Sequence, residues 1–244
     1  MPLRRQSAGH MSQFRFKQFV IDHGNCGMKV STDGVLLGAW AQPGTASNSL
    51  DIGTGTGLLA LMLAQRFAHL SLTAVEFDPS AFHCATLNVR ASRFAAQIQL
   101  HHGDINDFAC REQWQHIVCN PPYFTSGALS SNPQRAVARH ASTLSHPALI
   151  ACLKRLLAPT GCADLILPTK EANAFIENAQ AQGLYLQRRV LVSPTPEKAP
   201  SRVLFTLSPT TGAVRSDTIA VREQDGTYTQ AFADLTRAFY LKLS

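Results

Sequence analysis

Apolar and polar positions along this chain follow a regular beat. Short apolar runs at 49–52, 72–77, 98–102, 116–119 and 163–167 read as strands. Between them, stretches at 57–68, 79–91, 147–157 and 171–182 carry apolar residues at helical spacing. Strands alternating with helices of about 10–15 residues imply βαβ units, and so a mostly parallel sheet covered on both faces. Upstream, 14–21 (FRFKQFVI) begins as a strand, Gly24 and Asn25 read as a turn, and 35–40 (VLLGAW) reads as a short helix capped by Thr32 or Asp33. Downstream, 186–192 and 203–207 look like an antiparallel pair around a loop with Pro194, Pro196 and Pro200, and 228–243 carries a helical stripe of Phe232, Leu235, Phe239 and Leu243. Segments 41–48 and 208–219 read as loops. The expected organisation is an α/β domain over 41–244 with a small N-terminal cap, a strand hairpin and a short helix, over 1–40.

Composition narrows the class. Of 244 residues, 45% are hydrophobic and 16% charged, which excludes a disordered chain. No apolar run approaches the ~18–20 residues that span a bilayer. The start, Met1 to Arg5, is basic and leads into polar residues rather than an apolar signal core, so a soluble cytoplasmic protein is expected. Cys26, Cys84, Cys110, Cys119, Cys152 and Cys162 form no CxxC pair and no cysteine–histidine block, so no metal site is expected and a reducing compartment suits them. The net charge of +6 is uneven: residues 30–129 carry −3, and the segments on either side together carry +9. Basic flanks around an acidic centre suit a polyanionic partner, with nucleic acid the commonest.

The acidic centre carries the candidate chemistry. Asp51-Ile52-Gly53-Thr54-Gly55-Thr56-Gly57 follows a strand and opens a helix. Glycines there let a ligand approach the backbone and expose amides at the positive end of a helix. The spacing is neither the dinucleotide G-x-G-x-x-G nor a phosphate loop. Glu76 ends the next strand, where a carboxylate can accept from both ribose hydroxyls of a nucleoside. Asp104 ends the third, where it can accept from an exocyclic amine. Asp51 would repel a pyrophosphate but can hold a cationic amino acid moiety.

The fourth strand runs into Asn120-Pro121-Pro122-Tyr123-Phe124. Two prolines fix φ and remove two donors, leaving carbonyls free to point into a site. The Asn120 amide oxygen and a backbone carbonyl can together accept both hydrogens of a planar –NH2 group, directing its lone pair at an electrophile. Tyr123 or Phe124 can stack on a base, worth roughly 1–3 kcal/mol in single-stranded recognition.

The order DxGxGxG, strand-end Glu and Gly103-Asp104 resembles the S-adenosylmethionine-dependent methyltransferases, and NPPY is similar to the motif of those acting on amino groups of adenine, of guanine in ribosomal RNA, or of glutamine. The segments 14–19 (FRFKQF) and 26–40 (CGMKVSTDGVLLGAW), with Arg139-His140, Lys198, Arg202 and the Tyr240-Leu241-Lys242 ending, resemble the bacterial tRNA adenine-N6 methyltransferases that modify tRNA1(Val). A departure is Ala141, where that family usually places Glu after the Arg-His pair. The resemblance implies a Rossmann-like class I fold with a seven-stranded sheet, S-adenosylmethionine as methyl donor with S-adenosylhomocysteine as product, and the anticodon loop of a tRNA as partner; the sequence leaves the oligomeric state open, with a monomer favoured. It assigns catalysis to Asn120, Pro121, Pro122 and Tyr123, and the cofactor to Asp51, Gly53, Gly55, Gly57, Glu76, Asp104 and Asn120. Substrate contacts fall to Phe124, Lys17, Lys29, Arg135, Arg139, Lys198 and Arg202. The alternatives are a glutamine-N5 methyltransferase acting on a release factor, an rRNA amino-group methyltransferase, and a non-catalytic nucleic-acid-binding protein that kept the fold.

Overall fold

The computed structural model describes residues 13–24, 29–108, 113–122 and 144–242. Its elements are β1 (Gln13–Arg15), β2 (Val20–Asp22), α1 (Thr32–Trp40), β3 (Asn48–Ile52), α2 (Leu58–Arg66), β4 (Ser71–Glu76), α3 (Pro79–Ala91), β5 (Ile98–His102) and β6 (Trp114–Cys119). There follow α4 (His146–Leu156), β7 (Leu157–Pro168), α5 (Thr169–Ala181), β8 (Tyr185–Ser193), β9 (Arg202–Ser208), β10 (Arg215–Ala220) and α6 (Gln230–Thr236). Eight strands form one sheet in the order β10-β8-β9-β7-β6-β3-β4-β5, with β9 antiparallel to its neighbours. The chain runs from β3 outward through β4 to β5, then returns to β6 on the other side of β3. That reversal opens a crevice at the carboxyl ends of β3 and β6, where open α/β sheets bind ligands.

The sheet has one strand more than expected. β10 lies in the segment read as a loop, and it pairs in parallel with β8 from Arg215 opposite Arg188 to Ala220 opposite Ser193. Its first four residues are exposed, so no apolar alternation marks it. The N-terminal reading also shifts. The hairpin expected in the cap has its turn at Lys17-Gln18 within FRFKQFVI rather than at Gly24-Asn25, because Phe16, Phe19, Phe239 and Tyr240 cluster there and this turn keeps both phenylalanines inside. The C-terminal helix stops at Thr236, and the tail bends so that Tyr240 bridges Phe16. The two ends that resemble the family thus pack on each other.

Two apolar layers cover the sheet. Ile117 and Cys119 of β6 face α4 and α5, whereas Val118 faces α1 and α2. Trp114 joins the first set because the pairing of β6 with β7 slips between Trp114 and His116.

Helix α1 is buried from Gly34 to Ala39 and belongs to the same core as α2. A Cβ on Gly38 would lie 2.5 Å from the Met62 sulfur, and one on Gly34 would lie 2.9 Å from Leu58. Two glycines one turn apart therefore let the helices approach closely. Arg66 of α2 donates to the carbonyls of Gly38 (2.9 Å) and Ala41 (2.7 Å), ending α1. Burial lowers its pKa to about 10, so it stays charged at neutral pH. The N-cap is Ser31, whose hydroxyl accepts from the Gly34 amide at 3.1 Å. Asp33, expected as a cap, lies in the first turn and pairs instead with Arg202 of β9 at 2.8 Å.

Under α1, Ser49, His116, Asp164 and Thr206 form a buried polar row across β3, β6, β7 and β9. Asp164 also accepts from Arg188 and from the Gln42 amide after α1. Burial alone would raise its pKa; hydrogen bonding and charge from His116, with Arg188 and Thr206, outweigh burial and hold it at about 2. The Ser49–His116–Asp164 linkage is sealed from solvent and is structural. Replacing Gly38 by Val should destabilise the fold by about 1–3 kcal/mol through overpacking against Met62. Urea unfolding should show that loss, while Gly103→Ala, with open space at its Cβ, stays within about 0.5 kcal/mol.

Candidate active site

The carboxyl edge of β3 continues into a turn in which Gly53, Gly55 and Gly57 have φ of 68°, 60° and 85°. L-residues with a side chain rarely adopt these angles, which accounts for the alternating glycines. Three buried side chains hold the turn. Asp51 Oδ2 accepts from the Thr54 hydroxyl (2.5 Å) and the Ala60 amide (3.2 Å). Glu76 accepts from the Gly55 amide at 2.8 Å on one oxygen and from the Asp78 amide at 2.8 Å on the other. Asn88 of α3 donates to the Thr56 carbonyl at 2.9 Å.

The expected cofactor residues come together on neighbouring strands. Ile52 pairs with Val75 on one side and with Cys119 on the other. Gly53, Glu76 and Asn120 are therefore the next residues out on three adjacent parallel strands, roughly 4.8 Å apart. Glu76 keeps lone pairs beyond the two that fix backbone amides, enough to receive ribose hydroxyls. Asp104 is half-buried past the end of β5, and its Oδ1 closes a turn onto the amide and side chain of Asn106 at 2.8 Å each. Phe77, 48% exposed beside Glu76, adds an aromatic surface to this edge.

Two buried oxygens in the crevice have no hydrogen-bond partner among the described residues: Asp51 Oδ1 and Asn120 Oδ1. An unmatched buried acceptor is costly, and a ligand rich in donors would satisfy it. S-adenosylmethionine, with an ammonium, ribose hydroxyls and an adenine amine, offers donors for Asp51 Oδ1 and Glu76, so the residues present fit the expected cofactor and leave Asn120 Oδ1 for a second donor. Burial raises the Asp51 pKa to about 7, against hydrogen bonds from Thr54 and Ala60 that pull it down. Cys119, sealed behind the edge, is pushed well up by burial and is no nucleophile.

Asn120 and Pro121 leave β6 as expected, with Pro121 buried and Pro122 exposed. Tyr123, Phe124, Arg135, Arg139 and Ala141 lie outside the described residues. Lys29 and Lys198 are exposed. Lys17 instead donates to the Arg237 carbonyl at 2.7 Å, and Arg202 holds Asp33, so both already have protein partners. Reading the chain alone missed two residues at the site. A Cβ on Gly34 would come within 3.9 Å of the Asn120 amide nitrogen, which sets the start of α1 beside the NPPY segment. Asn88 carried a legible signal: it is a polar residue on the buried face of α3, in line with Ala81, Cys84 and Ala85.

An acceptor-lined crevice at the switch point, and a sheet of this strand order with one antiparallel strand near its end, define a Rossmann-like class I methyltransferase. The structure superposes on a predicted O-methyltransferase from Agrobacterium tumefaciens with a TM-score of 0.65 at 19% identity, covering 85% of this chain and 96% of that one. Residues 32–147 match the model of the methyltransferase small domain. Over 230 residues the chain is 46% identical to tRNA1(Val) (adenine(37)-N6)-methyltransferase of Vibrio vulnificus strain YJ016, covering 94% of this chain and 96% of the relative. The namesake from Shewanella woodyi is 44% identical over 94% of this chain and 99% of its own. The chain belongs to the tRNA1(Val) (adenine(37)-N6)-methyltransferase family.

The buried Asp51 makes stability depend on pH in a defined direction. Its pKa is about 7 folded and about 3.9 unfolded, so the folded state favours the proton. Its contribution to stability is greatest at low pH and is lost as pH rises toward 7. Asp51→Asn, which keeps the acceptor for Thr54 and Ala60, should melt higher than the parent at pH 8. The gain should be about 2–4 °C per kcal/mol recovered, and the two melting curves should converge only below about pH 4, where Asp51 is protonated in both folded and unfolded states.

Proposed function

We propose that this chain is an enzyme that transfers the methyl group of S-adenosylmethionine to the exocyclic N6 of adenine 37 in tRNA1(Val), releasing S-adenosylhomocysteine. Its near-full-length relatives carry that activity in their names, and one structural observation carries the chemistry. The Asn120 side-chain oxygen is buried at the end of β6, beside the glycine turn, with no partner among the described residues. When bound, the cofactor supplies an electrophilic methyl group.

The protein's share is orientation. Asn120 Oδ1 and the Pro121 carbonyl accept the two hydrogens of the target amine, which holds the nitrogen lone pair out of the ring and along the line of transfer. Nitrogen gains the methyl carbon, the carbon–sulfur bond breaks, and the surplus proton on nitrogen goes to solvent. Neutral acceptors suffice because an aryl amine is attacking before, not after, it loses a proton. Glu76 takes the ribose hydroxyls, Asp104 the cofactor adenine, and the amides of the glycine turn, with Asp51 beneath them, the methionine end. Tyr123 and Phe124 would stack on the target base, which must leave its neighbours to enter. That step costs less in a loop than in a duplex.

Phosphate contacts are assigned to Lys29, Lys198, Arg135 and Arg139. Lys17 and Arg202 act through their protein partners, tying the hairpin to the C-terminal tail and α1 to β9. We place the reaction in the cytoplasm, where tRNA is found and the thiols of Cys84, Cys119, Cys152 and Cys162 stay reduced. Among the described residues no helix is long and apolar enough to cross a membrane, and no three metal-ligating side chains converge.

Incubation with labelled S-adenosylmethionine and bulk tRNA, followed by nuclease digestion, should give N6-methyladenosine. Label on a glutamine of release factor would assign the enzyme to the other amino-group branch. Asn120→Ala should bind cofactor within about threefold of the parent and lose roughly 10²–10³ in kcat, the scale of losing one orienting acceptor. Lys198→Ala should weaken tRNA binding and flatten its dependence on salt by about one unit of log–log slope. Lys17→Ala should leave that slope unchanged and lower the melting temperature instead.

A further inference from the structure

Asn88 is a polar side chain 3% exposed in the middle of α3, and its amide is fully engaged. Oδ1 accepts from the Asp22 amide at 2.9 Å, and Nδ2 donates to the Asp22 carbonyl at 3.0 Å, a side chain pairing with β2 as another strand would. The second hydrogen of Nδ2 goes to the Thr56 carbonyl at 2.9 Å. Thr56 lies between Gly55, whose amide holds Glu76, and Gly57, which opens α2. One amide therefore joins the N-terminal hairpin to the turn that receives the cofactor.

The hairpin is fixed at its other end as well. The chain from Asp22 reaches Ser31, which caps α1, and Gly34 of α1 sits against Leu58 and beside Asn120. The hairpin and α1 are thus anchored on both sides of the crevice: on α3 and the glycine turn through Asn88, and on α2 through Gly34 and Gly38. Nothing else in the reaction requires a hydrogen-bonding residue at position 88. Valine or alanine would continue the apolar stripe of Ala81, Cys84 and Ala85 without the cost of desolvating an amide.

We infer that Asn88 is a positioning residue that couples docking of the N-terminal hairpin to the geometry of the cofactor-binding glycine turn. The inference rests on the reading of that turn as the S-adenosylmethionine site. Coupling of this kind is reciprocal. A ligand that settles the turn must tighten the hairpin, and loss of the Asn88 link must weaken the ligand without Asn88 touching it.

The ligand used is S-adenosylhomocysteine, which binds without turning over. Its affinity for the parent and for Asn88→Ala, Asn88→Asp and Cys84→Ala is measured by calorimetry. Amide exchange in β2 is followed with and without it. Asp at position 88 keeps the acceptor for Asp22 but has no hydrogens for the two carbonyls. Cys84→Ala removes a weak thiol bond to the His23 carbonyl of the hairpin and leaves the glycine turn untouched. Both Asn88 variants should bind at least tenfold more weakly, with Cys84→Ala within twofold of the parent. In the parent, ligand should slow exchange at the Asp22 amide at least fivefold, and this measurement needs no variant to fold. Unchanged exchange at Asp22, equal affinity in the Asn88 variants, or equal weakening by Cys84→Ala would overturn the coupling while leaving the cofactor site standing. A parent that does not bind S-adenosylhomocysteine overturns both.

Discussion

The turn between β3 and α2 is the constraint on which the rest of the molecule depends. Its three glycines adopt left-handed angles that give little stability on their own, since glycine loses the most backbone freedom on ordering. What holds it is a set of buried side chains reaching in from three elements: Asp51 from below, Glu76 from β4 and Asn88 from α3. Each is sealed from water, so each hydrogen bond lost would leave an unmatched buried group costing about 1–3 kcal/mol. The turn is rigid because its alternatives are expensive. That rigidity presents amides and carboxylates to a ligand without reorganisation at the moment of binding.

A second constraint follows from the first. The crevice at the carboxyl edge of the sheet is bordered by α1, whose Gly34 lies beside Asn120. The helix is held by the close approach of Gly34 and Gly38 to α2, by Arg66 at its end, by Arg202 at its start and by Asp164 just past its end. Most of these partners are charged groups buried or half-buried in the protein. Charges in such places stabilise less by their net attraction than by the penalty of any arrangement that leaves one unpaired. Asp164 shows this plainly. Its low pKa reflects three side chains of the sheet, His116, Arg188 and Thr206, and the packing of α1 adds the Gln42 amide as a further donor.

Much of the site was legible in the sequence because its residues stand at strand ends, where type and position are read together. Asp51, Glu76, Asp104 and Asn120 each close a strand that the apolar pattern had already located. The central sheet was legible for the same reason, since strands buried on both faces must be apolar throughout. What escaped lies where burial is one-sided or long-range. β10 is an exposed edge with no alternation to see. The break in FRFKQFVI depends on Phe239 and Tyr240, more than two hundred residues away. Ser31 outcompeted Thr32 and Asp33 as the cap because Arg202 claims Asp33, a contact no local rule contains. The roles of Lys17 and Arg202 were hidden likewise: a basic residue looks the same in the chain whether it faces phosphate or a helix end.

The charge distribution takes on a different meaning once these partners are known. Part of the acidic centre lies inside the protein, for Asp51 is sealed and Glu76 nearly so, each held by backbone amides, whereas Asp78 and Asp107 are exposed and Asp104 is half-buried. Some of the basic flank is committed inward at the same time, to Arg237, Asp33 and Asp164. Arg202 and Arg188 are offset by the carboxylates of Asp33 and Asp164, so the positive potential left for a nucleic acid resides on fewer residues than a count suggests, among them Lys29 and Lys198 on opposite sides of α1 in the chain. Electrostatic attraction of this kind falls with distance over roughly 8 Å at physiological salt. In the proposed reaction it can bring an anticodon loop to the edge of the sheet but cannot choose the base. Selection must come from the neutral end of the site, where Asn120 offers an acceptor that only a donor can satisfy.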